Sequence, residues 1–71
     1  MNLRNAEEGK EYVVEKINVN DAELEAFLFS LGCYSGEPIT VISHRKSGVT
    51  VVIKDGRYSF DIPLAEAISV K

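Results

Sequence analysis

Two side chains in the sequence could bind a transition-metal ion through sulfur or imidazole, and they are Cys33 and His44. Two such ligands do not make a tetrahedral structural site, which takes four. Carboxylates such as Glu37 or Asp61 could complete a weak surface site, since imidazole and carboxylate suit a ferrous ion. The simpler interpretation is that Cys33 is a small semi-buried apolar residue and His44 a solvated strand residue. The sequence therefore predicts no metal site, with Cys33 and His44 as the only candidates for one.

Catalytic chemistry is not indicated by the remaining reactive residues. The single histidine has no serine, aspartate or cysteine partner in a recognisable motif, and no pair of carboxylates is bracketed by a pocket-forming pattern. The segment from Gly32 to Gly36 is not a phosphate-binding loop, because it follows a predicted helix and lacks the Lys-Ser or Lys-Thr pair. We therefore expect no catalytic residues, no enzyme activity and no cofactor.

The length and charge of the chain narrow the class of protein further. It has 71 residues, with 11 acidic and 8 basic side chains and a net charge of −3. That length supports one small core, so we expect a single domain over residues 1–71. An acidic chain of this kind is not expected to bind nucleic acid. No uncharged run is long enough to span a bilayer, and the first residues lack the basic-then-apolar pattern of a signal peptide. We therefore expect a cytoplasmic protein that does not insert into membranes.

One helix is predicted, because apolar residues recur at i, i+3, i+4 and i+7 from Asp21 to about Ser30. Asn20 is the expected N-cap, and Glu23 three residues later resembles a capping box. Gly32 is expected to follow the helix in a left-handed conformation. The apolar stripe that should face the core consists of Leu24, Phe27, Leu28 and Leu31.

Five short strands are predicted in the rest of the chain. They cover residues 11–18, 39–44, 49–54, 57–62 and 67–70, with a helical turn over residues 63–66. A bulge near Glu15 and Lys16 would reconcile the two apolar faces of the first strand. Asp55 and Gly56 are expected at the centre of a type I′ hairpin turn. We predict a mostly β fold in which five strands form a small barrel, with the helix between the first and second strands.

Phe29 and Tyr34 lie outside the apolar stripe of the helix. In one interpretation Phe29 packs under the N-terminal segment near Leu3. In the other, Phe29 and Tyr34 form an exposed aromatic patch for a partner protein or for weak self-association.

Basic residues cluster near the predicted hairpin ends of an otherwise acidic chain. Residues 1–37 carry 8 acids and 3 bases, whereas residues 38–71 carry 3 acids and 5 bases. The cluster consists of Arg45, Lys46, Lys54 and Arg57. It is either a solvated edge that discourages strand aggregation or a face that steers an acidic partner.

The segment from Leu31 to Gly36 reads Leu-Gly-Cys-Tyr-Ser-Gly. It resembles the Leu-Gly-apolar-x-x-Gly signature of the FeoA family, the ferrous iron transport accessory proteins. The resemblance extends over nearly the whole chain, from Gly9 before the first strand to Ala65 and Ile68 near its end. One difference is that the helix before Leu-Gly carries no Arg or Lys, which many relatives have there.

This resemblance implies a cytoplasmic Src-homology-3-like (SH3-like) barrel with an inserted helix. It also implies that the chain binds and modulates FeoB, the membrane ferrous iron transporter, through its cytoplasmic GTP-binding domain or its membrane part. We expect docking through the helix and the corner after it. The partner-binding candidates are Leu28, Phe29, Leu31, Gly32, Cys33, Tyr34 and Gly36.

Two alternatives stay open at this point. The chain could be an SH3-like regulatory module related to the C-terminal domain of metal-dependent repressors, which specific DNA binding by the chain would favour. It could also be a weak carrier of transition-metal ions, which binding of metal at stoichiometric level would favour.

Overall fold

Alternating apolar residues build five antiparallel strands around one core. The computed structural model describes residues 1–71. The strands are β1 (Lys10–Ile17), β2 (Pro38–Arg45), β3 (Gly48–Ile53), β4 (Gly56–Asp61) and β5 (Ile68–Val70). A helix α1 (Ala22–Leu31) connects β1 to β2, a short helix α2 (Ile62–Ala67) precedes β5, and a 3-10 turn (Leu3–Asn5) precedes β1. The strands pair in the order β4-β3-β2-β1-β5, so the mostly β fold with a helix between the first two strands is confirmed.

The core is a single cluster of side chains from all five strands, both helices and the N-terminal turn. Strand β3 shows how the sequence forms this core. Val49, Val51 and Ile53 are buried, while the residues between them are half-buried. This is the alternation expected of a strand with one face on the core. The N-terminal segment is anchored by Leu3, which is fully buried.

Strand β1 contains the bulge that the sequence predicts. Its pairing with β5 shifts register between Val14 and Lys16. Tyr12 and Val14 point into the core before the shift, and Ile17 packs against the core after it. The bulge thus lets one strand bury apolar residues that do not alternate over its whole length.

Strand β2 contains a second bulge, which was not predicted. Its pairing with β3 shifts between Val41 and Ser43, so that His44 lies opposite Val49. Directly paired residues of antiparallel strands project to the same side of the sheet. His44 therefore lies at the rim of the core side, and its predicted placement on the face opposite Val41 is wrong. Its predicted exposure to solvent is confirmed.

The turn between β3 and β4 begins one residue earlier than predicted. Ile53 pairs with Gly56, which leaves Lys54 and Asp55 at the centre of the turn. Lys54 is the one non-glycine residue with positive φ, at 53°, so the predicted type I′ turn centred on Asp55 and Gly56 is wrong. Gly56 lies in the strand, where an added Cβ would collide with the hydroxyl of Tyr58. Glycine at position 56 thus leaves room for the Tyr58 side chain and is not a central residue of the turn.

Helix α1 is capped by Asp21, whereas Asn20 was predicted. The Asp21 carboxylate accepts hydrogen bonds from the backbone N–H groups of Glu23 at 3.0 Å and Leu24 at 3.2 Å. At the other end Gly32 has φ 94° and donates its N–H to Phe29 O at 3.0 Å, which confirms the predicted left-handed glycine. Neither helix combines the length and the apolar composition needed to cross a bilayer.

Candidate functional site

Helix α1 is attached to the barrel by few side chains. Leu28 is fully buried, and Leu24 and Leu31 pack partly against the core. Phe27, which the sequence places on the same stripe, is 53% exposed. The prediction that Phe27 faces the core is therefore wrong, because the helix meets the barrel along the narrower row of residues spaced i, i+4 and i+7.

The most exposed aromatic side chain of the protein lies on this helix. Phe29 is 63% exposed, and its ring stacks on that of Tyr34 with 4.6 Å between centroids and 27° between planes. The interpretation that Phe29 packs under the N-terminal segment near Leu3 is wrong. Successive helical residues are rotated by about 100°, so the inward direction of Leu28 turns Phe29 towards solvent. We call Phe29 and Tyr34 the aromatic corner.

A groove of about 280 Å³ runs between the aromatic corner and the end of β1. Its lining residues are Glu15, Lys16, Ile17, Glu25, Phe29, Cys33, Tyr34 and Ser35. A second depression of about 360 Å³ lies along α1 on the other side of Phe29, between Ala22, Glu25 and Ala26. The two hollows share Glu25 and Phe29, so together they form one uneven surface with Phe29 as its ridge.

The loop after α1 is fixed to the barrel by backbone hydrogen bonds. Cys33 N–H donates to Leu28 O at 2.9 Å, and Gly36 N–H donates to Val14 O at 2.8 Å. Glu37 N–H donates to Tyr34 O at 3.1 Å, which closes the turn that carries the tyrosine. These bonds fix the backbone of the loop that carries Tyr34, and the ring of Tyr34 stacks on Phe29 of the helix.

Lys54 covers this loop from the hairpin. Its aliphatic stem lies so close to Gly32 that an added Cβ would be 2.6 Å from Lys54 Cε and 3.3 Å from Ile53 Cγ2. Its ammonium group pairs with Glu37 Oε1 at 2.5 Å. The hydrogen bond from Lys54 lowers the pKa of Glu37 below 4.5, and the same bond raises the pKa of Lys54 above 10.5. Lys54 is thus engaged within the chain, which leaves Arg45, Lys46 and Arg57 as the unpaired bases of the predicted cluster.

The structure separates the predicted partner-binding residues into two groups. Leu28, Gly32 and Cys33 are buried, so in this structure they support the helix and the loop, although Cys33 also borders the groove; their role in partner binding stays a prediction. The accessible members are Phe29, Leu31, Tyr34 and Gly36.

The walls of the groove are what sequence reasoning missed. Glu15 and Ile17 line the groove from β1, beside its shift in register, and Glu25 is an exposed residue of α1. The predicted bulge marked this region as irregular, but it did not show which element lies against it.

Cys33 and His44 do not form a metal site in this structure. Burial raises the pKa of the Cys33 thiol to about 11, so it is protonated and a poor ligand at neutral pH. Cys33 lies near the end of β1, whereas His44 lies beside Leu3 O and Glu8, at the beginning of that strand. No group of three or more His, Cys, Asp or Glu side chains is placed to hold a metal ion.

Comparisons with known proteins agree with this architecture. The FeoA domain model matches residues 1–71. The crystal structure of an iron uptake regulatory protein (FeoA) superposes with a TM-score of 0.86 and 21% identity, covering 100% of this chain and 95% of that chain. No curated protein matches the chain in sequence.

Two further structures extend the likeness. FeoA of Stenotrophomonas maltophilia, described as a procaryotic SH3 domain protein in complex with zinc, has a TM-score of 0.82 and 20% identity, covering 100% of this chain and 89% of that chain. A manganese-dependent transcriptional repressor has a TM-score of 0.86 and 22% identity, with 99% of this chain covering only 40% of that chain. The predicted SH3-like fold is therefore confirmed, and it recurs as one part of a larger regulator.

Proposed function

Because the chain belongs to the FeoA family, we propose that it is a cytoplasmic accessory protein of ferrous iron uptake that binds the FeoB transporter and modulates it. The role in iron uptake is supported by the family and by a similar structure named as an iron uptake regulatory protein. The target we propose is the cytoplasmic GTP-binding domain of the transporter.

The observation that carries the docking proposal is the aromatic corner. A phenylalanine that is 63% exposed and stacked on a tyrosine leaves a large apolar surface in water. Aromatic side chains are enriched in the centres of protein interfaces, where burying them supplies much of the binding energy. Because backbone hydrogen bonds fix the loop around Tyr34, little of its main chain has to be ordered on binding.

The proposed mode of action is modulation by contact. The docked module would change the conformation or the nucleotide cycle of the transporter by favouring one of its states. Such a shift requires that the module bind two states of the transporter with different affinity.

An NMR titration of the isotope-labelled chain with the purified GTP-binding domain tests this proposal. We expect signal loss or shifts concentrated in residues 24–36, with smaller changes in the strands far from the corner. A Phe29→Ala variant should weaken the response, while Phe27→Ala, which alters an exposed phenylalanine outside both hollows, should retain it. Unchanged spectra at saturating domain concentration would refute binding to this target.

A further inference from the structure

Helix α1 has a second apolar row on its outward side. Ala22, Ala26 and Phe29 follow the spacing i, i+4 and i+7, which is the spacing of the inward row. All three are exposed. The small side chains of the two alanines allow another backbone to approach closely, and the larger side chain of Phe29 projects from the end of the row. The helix therefore offers a shallow apolar track that continues into the groove beside Tyr34.

The geometry of this track suits an elongated segment. Ala22 and Phe29 are seven positions apart in the helix, which corresponds to about 10 Å along the axis. The hollows on either side of Phe29 measure about 360 and 280 Å³, so each accepts a side chain of a segment that lies across the ridge. A helical segment places apolar side chains three and four residues apart, which matches one anchor in each hollow.

The charges around the track are acidic. Residues 15–29 carry four acids and one base, Lys16. Glu15 and Glu25 line the groove together with one base, Lys16, and neither carboxylate takes part in the two ion pairs of the structure. These carboxylates flank the apolar floor and lack a basic partner within the chain.

We propose that this track binds a basic amphipathic helix of the partner protein, with leucine-like anchors on either side of Phe29 and lysines or arginines beside Glu15 and Glu25. The inference rests on the proposed function, because it specifies the chemistry of the segment that the module would recognise. Complementary charge beside an apolar contact supplies selectivity and a faster association rate.

Two other occupants are disfavoured by features of the same surface. An anionic lipid surface would be repelled by the acidic residues of the track. A second copy offers unpaired bases at Arg45, Lys46 and Arg57, but β2, β4 and the turn that carry these bases have no exposed large hydrophobic side chain. The exposed large hydrophobic side chains of the chain are Met1, Val13, Phe27 and Phe29.

The direct test uses a synthetic helical peptide of leucines and lysines at amphipathic spacing, and a matched peptide with glutamates in place of lysines. Isothermal titration should show binding of the lysine peptide to the wild-type chain and none of the glutamate peptide. Phe29→Ala should weaken binding about tenfold or more, as expected for a central aromatic contact, and Phe27→Ala should change it less than about twofold.

A charge-reversal pair separates a specific contact from general attraction to an acidic chain. Glu25→Lys and Glu23→Lys change the net charge equally within the same helix, but only Glu25 lines the hollows. We expect Glu25→Lys to weaken the lysine peptide about fivefold or more and Glu23→Lys less than about twofold. Equal effects of the two reversals would overturn the proposal.

Two further results would assign the track to a different occupant. Dimerisation by sedimentation that Phe29→Ala abolishes would assign the track to a second copy. Co-sedimentation with anionic phosphatidylglycerol vesicles that Phe29→Ala abolishes would assign it to a membrane surface, and either result would overturn the proposal. Binding of the lysine peptide with the expected variant effects, but none of the transporter domain, would reject the proposed target and leave this inference standing.

Discussion

The sheet and helix α1 are both rich in apolar residues, and they use them in opposite ways. Val49, Val51 and Ile53 of β3 are at most 1% exposed, whereas Phe27 and Phe29 of α1 are 53% and 63% exposed. The sheet uses its apolar side chains to build the core. The helix buries Leu28 completely and packs Leu24 and Leu31 partly against the core, but it leaves both of its phenylalanines exposed, as expected of a surface that binds a partner.

The comparison is sharpest between two neighbours in the helix. Leu28→Ala removes the only fully buried side chain of α1 and should reduce the free energy of unfolding by about 3 kcal/mol. Phe29→Ala removes a larger side chain but should cost at most about 1 kcal/mol, because only the stack on Tyr34 is lost. Chemical denaturation of both variants measures the difference. Equal losses would show that Phe29 belongs to the fold and that the two regions do not differ as described.

The loop that joins the two regions contains a second matched pair. Gly32 and Gly36 have φ 94° and 93°, so alanine at either position costs about 1 kcal/mol in backbone strain. At Gly32 the new Cβ would also displace Lys54 and press on Ile53, whereas at Gly36 it would meet nothing within 4 Å. We expect Gly32→Ala to cost about 2 kcal/mol in total by the same strain scale. If Gly36→Ala lowered the free energy of unfolding as much, the packing of Lys54 over the loop would not contribute to stability.

The start of the helix distinguishes the observed cap from the predicted one. Asp21→Ala removes the acceptor of two backbone hydrogen bonds and should cost about 1 kcal/mol. Asn20→Ala should change the stability by less than about 0.5 kcal/mol, since Asn20 makes no capping bond. Thermal unfolding followed by far-ultraviolet circular dichroism compares the two. A larger loss of stability for Asn20→Ala would identify Asn20 as the N-cap, as the sequence predicts.

The smallest effect is the pH dependence of the ion pair over the loop. The hydrogen bond from Lys54 holds the pKa of Glu37 below its ordinary value of 4.5. The pair therefore stabilises the folded state fully only at a pH well above this ordinary value, and the contribution is lost as the pH falls through the lowered pKa. The stability difference between wild type and Glu37→Gln should accordingly shrink as the pH falls from neutral through the ordinary and then the lowered pKa of Glu37. A difference that stays constant over this interval would mean that the pair does not stabilise the fold.

Sequence reasoning succeeded where a local pattern carries the information. The alternation in β3, the bulge near Glu15 and the left-handed Gly32 each follow from a few neighbouring residues. It failed at the bulge between Val41 and Ser43 and at the hairpin centred on Lys54. Those features depend on the register of paired strands, which a single segment does not specify.

The sequence predicted the loop of the candidate site, but it did not predict the residues that line the groove. The Leu-Gly segment predicted a docking role for the corner. The sequence left open whether Phe29 packs near Leu3 or forms an exposed aromatic patch with Tyr34.

The periodicity of α1 correctly placed Leu24, Leu28 and Leu31 towards the barrel. Because apolar residues occur almost all round the helix, it could not show that Phe27 lies outside this contact. The contribution of Glu15 and Glu25 arises from the approach of β1 to the helix, a contact between distant parts of the chain.

The central claim is that the aromatic corner serves binding and not stability. The most direct measurement is Phe29→Ala, with affinity for the transporter's GTP-binding domain and melting temperature determined on the same sample, and Phe27→Ala as the control. We predict that affinity falls about tenfold or more, that the melting temperature falls by no more than about 6 °C, and that Phe27→Ala preserves affinity. A large loss of melting temperature with unchanged affinity would contradict the claim.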